Sequence, residues 1–243
     1  MRFFIEFAYN GTNYHGWQKQ PNAASVQEVL TFAVNTILKS STELVGAGRT
    51  DTGVHAKQMM AHFDIDFEFN AEKLAFQLNA FLPDDIVVFK IFIVSQTAHA
   101  RFDAKKRTYE YLIHTKKNPF ENQRSYFFSQ NLNLILMNQA CEILKKHSDF
   151  ECFSKVKTDV NTFNCKIELA QWSQTDHNFK FTITADRFLR NMVRAIVGTL
   201  INVGLEKVSL SGFEEIINSK DRKKAGFSVP AHGLYLTKIE YDF

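Results

Sequence analysis

The 243-residue chain has little cysteine, proline or glycine, and each shortage excludes a class of protein. Its three cysteines, Cys141, Cys152 and Cys165, are scattered and form no CxxC pair, which argues against both a disulfide framework and a zinc site. The eight histidines show no HExxH or other paired-ligand spacing, so we expect no structural metal. With 4 prolines and 10 glycines, the chain contains no linker rich in either residue and no low-complexity segment.

Long apolar runs are also missing. The longest, from Ile86 to Val94, is interrupted by Lys90 and is too short to span a bilayer. The chain opens directly with an alternating strand pattern and not with a signal-peptide core. We therefore expect a soluble, cytoplasmic protein that has no membrane partner.

The net charge is small, at +3 with a pI of about 8.6, and is weak evidence on its own for a polyanionic partner. The cations are nevertheless concentrated in short clusters: Lys105-Lys106-Arg107, Lys116-Lys117, Lys155/Lys157, Arg187/Arg190/Arg194 and Arg222-Lys223-Lys224. Any one cluster is best explained as a solvated face. Several of them in one chain fit a groove that follows phosphates.

Apolar periodicity, helix caps and turn residues predict an α+β fold. Strands are predicted at 2–8, 58–65, 86–94 (buried), 107–114, 166–172, 179–185 and 234–241, and helices at 25–38, 70–80, 134–146, 188–203 and 213–218. Arg187 lies directly before the predicted helix 188–203, and Arg190 and Arg194 lie within it. At this spacing the three side chains would form one stripe along the helix. Strand-helix-strand units recur in residues 1–104 and 105–243, which predicts two similar sheet-and-helix halves facing each other across a cleft.

The most informative segment is the loop from Gly46 to Ala56, GAGRTDTGVHA. Three glycines in eight residues predict unusual backbone angles and a close approach to another group. The loop lacks the ending of a P-loop, and Asp51 stands where a dinucleotide motif would have its third glycine, so an ionised carboxylate would repel a phosphate there. From the residues alone, Asp51 is a nucleophile, base or electrostatic stabiliser, or it only organises the loop as an Asx-turn.

The stretch Gly48-Arg-Thr-Asp51-x-Gly53-Val-His-Ala56 resembles the catalytic motif of the tRNA pseudouridine synthase A family. Further blocks resemble the family in the same order and cover nearly the whole chain: Phe4 to Gln18, Leu78 to Ile86, His99 to Tyr111, Phe188 to Gly198 and Ala231 to Leu236. Two departures lie at Ala98, in place of a phenylalanine, and at Phe227-Ser-Val-Pro, in place of a stretch with proline and threonine. Neither departure involves Asp51, so they bear on the range of RNA substrates and not on the type of reaction.

The resemblance implies the pseudouridine synthase fold, with a mixed, mainly antiparallel sheet around a central basic cleft. It implies an isomerase that converts uridine to pseudouridine in the anticodon stem-loop of tRNA, at positions 38, 39 and 40, as a homodimer without cofactor or metal. The target base must be flipped into a pocket. Asp51 would be the nucleophile, Arg194 its charged partner, Tyr109 the ring that stacks on the flipped uracil, and Arg49 a contact to the RNA backbone or to the gap left by the base.

Purely structural roles stay open for two of these residues. Tyr109 could pack in the core, as we expect for Tyr111, and Arg194 could extend to solvent. His55 is given no catalytic role. The stretch 17–19 is expected to form an exposed loop that contacts RNA.

Two other functions also stay open. A non-catalytic RNA-binding module would have no use for a carboxylate in an anion-facing cleft. An enzyme that acts on free nucleosides would not need basic clusters beyond its pocket.

Overall fold

The computed structural model describes residues 1–156 and 160–243, so Lys157 of the predicted basic clusters lies outside the described residues. The described residues form nine strands and five α-helices: β1 (Arg2–Tyr9), α1 (Val26–Leu38), β2 (Val45–Gly46), β3 (His55–Asp64), α2 (Ala71–Phe81), β4 (Ile86–Val94), β5 (Lys106–His114), β6 (Tyr126–Phe127), α3 (Leu134–Leu144), β7 (Ile167–Thr175), β8 (Asn178–Ala185), α4 (Met192–Gly204), α5 (Leu210–Asn218) and β9 (Leu234–Glu240). In this part of the chain no helix is both long and apolar enough to cross a membrane.

The chain divides into two compact units: unit 1 contains Met1–Lys105 and Tyr235–Phe243, and unit 2 contains Lys106–Leu234. The sequence division assigned all of 105–243 to the second half. The last strand differs because β9 pairs with β3 in parallel, with His55 opposite Tyr235. As a division of the functional halves, 1–104 and 105–243 stays a prediction.

Unit 1 is built on β1, which pairs antiparallel with β3 on one side and with β4 on the other. Strand β2 adds a short antiparallel pairing to β3. Both helices begin where their caps predict. The Ser25 hydroxyl accepts the backbone N–H of Glu28 at 3.3 Å before α1, and the Asn70 side chain accepts that of Lys73 at 2.8 Å before α2.

Unit 2 contains the antiparallel order β5-β8-β7, and β6 pairs in parallel with β5. The β7–β8 hairpin predicted between Trp172 and Phe179 is present. Its turn is tighter than predicted, because Thr175 already pairs with Asn178 and Asp176 adopts a φ of 46°. Parallel pairings of β3 with β9 and of β5 with β6 stand beside antiparallel pairings in both units, so the predicted mixed, mainly antiparallel α+β arrangement is confirmed.

In each unit an asparagine on a helix binds the backbone of an outermost strand. In unit 1, the amide of Asn79 donates to the carbonyl of Val88 at 2.8 Å and accepts its N–H at 2.7 Å. In unit 2, the amide of Asn138 makes the same pair of bonds to Trp172, at 3.1 and 2.8 Å. These two side chains use the hydrogen-bonding groups that a neighbouring strand would otherwise use.

Two sequence predictions about individual elements are wrong. Strand β4 has the predicted bounds but is buried on one face only, because Val87, Phe89 and Ile93 are exposed while Ile86, Val88 and Ile91 are buried. Helix α4 begins at Met192 and not near 188, after Asn191 adopts the left-handed conformation with a φ of 66°. The predicted arginine stripe therefore fails, since two of its three members precede the helix.

Candidate active site

The loop from Gly46 to Gly53 connects β2 and β3 in unit 1, and its glycines have different physical roles. A Cβ on Gly46 would lie 2.4 Å from the indole ring of Trp17, so the close packing here leaves no space for a side chain. Gly53 has a φ of 77°, which side chains rarely adopt. A Cβ on Gly48 would meet no heavy atom within 4 Å of the described residues. The prediction of close approach and unusual backbone angles therefore holds for two of the three glycines.

The hydroxyl of Thr50 anchors the middle of this loop. Its Oγ1 accepts the backbone N–H of Trp17 at 3.0 Å and lies 2.8 Å from the hydroxyl of Tyr9, at the end of β1. Both bonds are made to the residue directly before Asp51. They fix the backbone from which the candidate nucleophile projects.

Asp51 begins a turn, because the N–H of Val54 donates to its carbonyl at 3.1 Å. Gly53 occupies the third position of this turn with the positive φ typical of a type II turn. The backbone N–H of Gly53 also donates to the carbonyl of Tyr14 at 3.2 Å. Asp51 is half-buried in this arrangement, whereas Arg49 is exposed.

Segment 9–17 lies against the loop and supports it. A Cβ on Gly16, whose φ is 88°, would lie 2.2 Å from the carbonyl oxygen of Thr50, and a Cβ on Gly11 would lie 2.0 Å from that of Val54. The segment is in turn fixed by Asp85, which accepts the hydroxyl of Tyr14 at 2.5 Å. Burial, together with this hydrogen bond, raises the pKa of Tyr14.

Trp17 belongs to this support and not to an exposed loop. Its side chain is 3% exposed, and its ring packs 5.3 Å from that of Phe7. The expectation of an exposed RNA contact is therefore wrong for Trp17, while Gln18 and Lys19 are exposed. The sequence places Trp17 next to polar residues and does not indicate that its ring packs against Gly46, which is far away in the chain.

His55 follows the loop at the start of β3 and is buried. Its Nδ1 accepts the backbone N–H of Gly11 at 3.0 Å, and its ring stacks on that of Tyr235 at 4.6 Å. These two contacts hold the start of β3 against Gly11 and Tyr235.

Arg194 lies in the first turn of α4 in unit 2 and is half-buried. Its Nε donates to the carbonyl of Val229 at 2.7 Å, and its own carbonyl accepts the N–H of Val229 at 3.2 Å. Val229 therefore fixes the direction of the guanidinium. The charge of Arg194 also adds to burial and to the charge of His114 in lowering the pKa of His232.

The segment that holds Arg194 includes Phe227-Ser-Val-Pro, one of the two departures from the resemblance expected in the sequence. The Ser228 hydroxyl accepts hydrogen bonds from Asn191 at 2.6 Å and from Arg222 at 2.8 Å. One residue earlier, the carbonyl of Phe227 lies so close to α4 that a Cβ on Gly198 would be 1.8 Å from it. Serine thus provides the acceptor for two side chains next to the residue that orients Arg194.

Tyr109 lies on β5 in unit 2, opposite Ile183 of β8. It is half-buried, and its ring meets that of Phe188 edge-on at 5.1 Å. Tyr111, two residues later, is fully buried and donates its hydroxyl to the carbonyl of Pro230 at 2.9 Å. The core role expected for Tyr111 is confirmed, and a stacking role for Tyr109 stays a prediction.

The cluster Lys105-Lys106-Arg107 is engaged with groups of its own unit. Lys105 pairs with Asp242 at 3.1 Å in unit 1, and Lys106 pairs with Glu168 at 2.5 Å in unit 2. A guanidinium nitrogen of Arg107 donates to the carbonyl of Asp186 at 3.0 Å. These contacts partly neutralise the cluster, and its contribution to a phosphate-binding groove stays a prediction.

No reactive thiol competes with Asp51 as nucleophile. The three cysteines are unpaired and buried, and burial raises the pKa of each thiol to about 12. Across residues 1–156 and 160–243, no group of three or more His, Cys, Asp or Glu side chains is placed to hold a metal ion. The expected absence of a metal stays a prediction.

Comparison with known proteins identifies the family. The sequence model of the tRNA pseudouridine synthase family matches residues 6–103 and 140–242. The chain belongs to the tRNA pseudouridine synthase family. It is 52% identical to the tRNA pseudouridine synthase A of Bacteroides fragilis over 242 residues, which cover 99% of this chain and 96% of that one. It is 39% identical to the tRNA pseudouridine synthase A of Bacillus subtilis over 246 residues, covering all of both chains.

The parts of the chain that match the tRNA pseudouridine synthase family include three of the four candidate site residues. Arg49 and Asp51 lie in the first matched stretch and Arg194 in the second, whereas Tyr109 lies between them. The match to the relatives extends over the stretch that contains Tyr109. Arg49 and Asp51 are brought together on one loop of unit 1, and Tyr109 and Arg194 belong to unit 2.

Proposed function

We propose that this chain is an isomerase that converts uridine to pseudouridine in tRNA, with Asp51 as the nucleophile. The observation that carries the assignment is the loop of Asp51, which is fixed on both sides by hydrogen bonds to segment 9–17. These bonds fix the backbone from which the carboxylate of Asp51 projects. The type of reaction is inferred from the family to which the chain belongs.

The reaction moves one glycosidic bond and one proton. The bond from uracil N1 to ribose C1′ breaks, the base turns, and a bond from C5 to C1′ forms, while the proton on C5 is lost and N1 gains one. Positive charge develops on the sugar as the first bond breaks. An anionic carboxylate beside C1′ stabilises that charge, as it does in glycoside cleavage.

We assign supporting roles to three other residues. The ring of Tyr109 stacks on the flipped uracil and excludes water. Arg194, whose direction is set by Val229, neutralises and aims the carboxylate of Asp51. Arg49, exposed on the same loop as Asp51, contacts the RNA next to the flipped base.

Changing Asp51 to asparagine tests the central assignment. Asp51→Asn keeps the size of the side chain and removes its charge, so pseudouridine formation should be lost while tRNA binding stays within about threefold. Purified protein is incubated with an unmodified tRNA transcript, and pseudouridines are mapped by carbodiimide-dependent reverse-transcription stops. Asp66→Asn, the same change at an exposed carboxylate of unit 1, is the matched control and should behave as wild type.

Substantial turnover by Asp51→Asn would refute Asp51 as nucleophile. A wild-type protein that binds tRNA but leaves no carbodiimide stop would instead favour the non-catalytic RNA-binding module. The two results are therefore distinguishable in one experiment.

Two changes at Tyr109 test its role. Tyr109→Phe keeps the aromatic ring and should keep base stacking, whereas Tyr109→Ala should lose most activity. Stacking of one base contributes about 1–3 kcal/mol. Single-turnover rates of the two variants, compared at equal thermal stability, measure the difference. Equal and near-neutral effects would assign Tyr109 to the core.

We also propose the finer features that the family implies: a homodimer in the cytoplasm that modifies the anticodon arm of tRNA at positions 38, 39 and 40. Mapping of stops on several transcripts tests the positions. Light scattering coupled to size exclusion tests the dimer, and a monomer at assay concentration would refute it.

A further inference from the structure

A phenylalanine in unit 2 that has no role in the assignments above projects into solvent. Phe120 is 82% exposed, more than any other large apolar side chain in the described residues. It follows Pro119 in a single 3-10 turn, Pro119–Glu121. A scattered exposed apolar residue needs no explanation by itself, so the surroundings of the ring decide what it does.

The loop that carries Phe120, residues 115–124, is an ordered turn. The side chain of Asn118 accepts the backbone N–H of Phe120 at 3.0 Å, and its carbonyl accepts that of Glu121 at 3.2 Å. The N–H of Arg124 then donates to the carbonyl of Glu121 at 3.0 Å. Pro119 restricts φ within the same turn. The ring therefore projects from backbone that is already organised.

Both ends of the loop are attached to the sheet of unit 2. At its start, the N–H of Thr115 donates to the carbonyl of His177 at 2.9 Å, in the β7–β8 turn. Just after its end, the buried hydroxyl of Ser125 bonds to the ring of His114, the last residue of β5. Because the backbone of the loop is already ordered, a binding partner would lose little free energy in ordering it, and this favours affinity.

The charges around the ring are mostly positive. Lys116, Lys117 and Arg124 are exposed, and Glu121 is the one acidic residue of the loop, half-buried. Ten residues therefore carry a net charge of +2, compared with +3 for the whole chain. The remaining residues of the loop are mostly polar and not apolar, which does not favour a protein partner that would need a continuous apolar surface.

We propose that loop 115–124 is a second contact to the tRNA, in which an unpaired base stacks on Phe120 and the cations contact its phosphates. An exposed aromatic ring among cations is the arrangement that binds single-stranded nucleotides without sequence preference. This inference rests on the proposed function, because it takes the substrate to be tRNA. It adds a site to that function.

This contact is separate from the one at Tyr109. Both belong to unit 2, at opposite ends of β5: Tyr109 lies near its start, and the loop begins directly after His114. Five residues of extended strand span about 17 Å. The nucleotide on Phe120 is therefore not the flipped uridine, and the loop adds affinity for the tRNA without taking part in the reaction.

The test compares three phenylalanine variants by their equilibrium binding to a full-length, unmodified tRNA transcript. Phe120→Ala should weaken binding about tenfold, which corresponds to about 1.4 kcal/mol, and Phe120→Trp should retain wild-type affinity. Phe76→Ala is the matched control, because Phe76 is 76% exposed on α2 of unit 1 near the oppositely charged Glu72 and Lys73. It should bind tRNA within twofold of wild type.

Rate measurements separate this contact from the reaction site. With enzyme in saturating excess over tRNA, the single-turnover rate of Phe120→Ala should stay within twofold of wild type. The double variant Lys116→Gln, Lys117→Gln should reduce the slope of log affinity against log salt by about 1 to 2, since each phosphate contact contributes about 0.7 to 0.9.

Two results would overturn the proposal. One is a tRNA affinity of Phe120→Ala within twofold of wild type, in a protein that forms pseudouridine. The other is a change of oligomeric state in Phe120→Ala, measured by light scattering, because the ring would then cover a second copy of the chain. An inactive wild-type protein would refute the proposed function instead, so the two failures are distinct.

Discussion

Replacing Gly16 with alanine tests whether the loop of Asp51 must keep its observed position. Gly16 lies in segment 9–17 with a φ of 88°, and a Cβ there would lie 2.2 Å from the carbonyl oxygen of Thr50 and 3.2 Å from the carbonyl carbon of Asp51. The three heavy atoms nearest to the new methyl group are all backbone atoms. The methyl group therefore acts on the backbone that carries the nucleophile.

The size of the effect follows from these distances. Cβ atoms essentially never approach closer than 3.0 Å, so the Thr50 carbonyl and Gly16 must separate by about 1 Å. A misplacement of this size can cost about 100-fold in rate. The left-handed φ adds a conformational cost of about 1–2 kcal/mol for any residue with a Cβ. We expect kcat to fall about 100-fold, with a free energy of unfolding lower by about 1–3 kcal/mol.

The assay measures kcat and KM for a tRNA transcript together with urea unfolding. Gly212→Ala is the control, because Gly212 lies in the first turn of α5 with a negative φ and its nearest neighbour would be 3.3 Å away. Alanine favours the helix there by up to about 1 kcal/mol, and activity should not change. Gly16→Ala with a wild-type kcat would refute the idea that this loop needs its position for the reaction.

Three further predictions concern unit 1. Thr50→Val removes the anchoring hydroxyl and should lower kcat about tenfold with little change in KM, while Thr50→Ser should restore the rate; equal rates in both variants would contradict the anchor. Burial, with the nearby charge of Arg2, lowers the pKa of His62 to about 4, so the unfolded state binds more protons between about pH 6.5 and pH 4. Stability should therefore fall as the pH drops through that window, and His62→Gln should flatten the profile in urea unfolding. Asn79→Ala leaves the N–H and carbonyl of Val88 without their partners and should lower the unfolding free energy by about 1–3 kcal/mol, measured by thermal and urea unfolding; an unchanged stability would show that water replaces the amide fully.

Local chemistry explains which elements the sequence predicts well. Ser25 and Asn70 are strong N-cap residues, and both helices begin directly after them. Helix α4 was predicted too early because Phe188 and Leu189 continue its apolar pattern. Asn191, whose side chain donates to Ser228, adopts a left-handed turn, and the helix begins four residues later than predicted.

Long-range pairing explains what the sequence does not predict. The parallel pairing of β3 with β9 joins His55 to Tyr235, which are far apart in the chain, and neither strand carries a local signal for its partner. The candidate site likewise combines features that the sequence predicts with features that it does not. The motif around Asp51 is recognisable in the sequence, whereas its supports at Tyr9 and Gly16 depend on distances that only the folded chain provides.

The paired asparagine contacts on the outermost strands also limit how copies of this protein associate. A new strand cannot extend the hydrogen-bond ladder of β4 across Val88 or that of β7 across Trp172, since Asn79 and Asn138 already occupy the required donors and acceptors. Fibre-like growth through these strands is blocked at one point on each. Strand addition at Val88 or Trp172 would then not contribute to a homodimer, and exchanging either asparagine for a smaller residue would expose a site for strand addition.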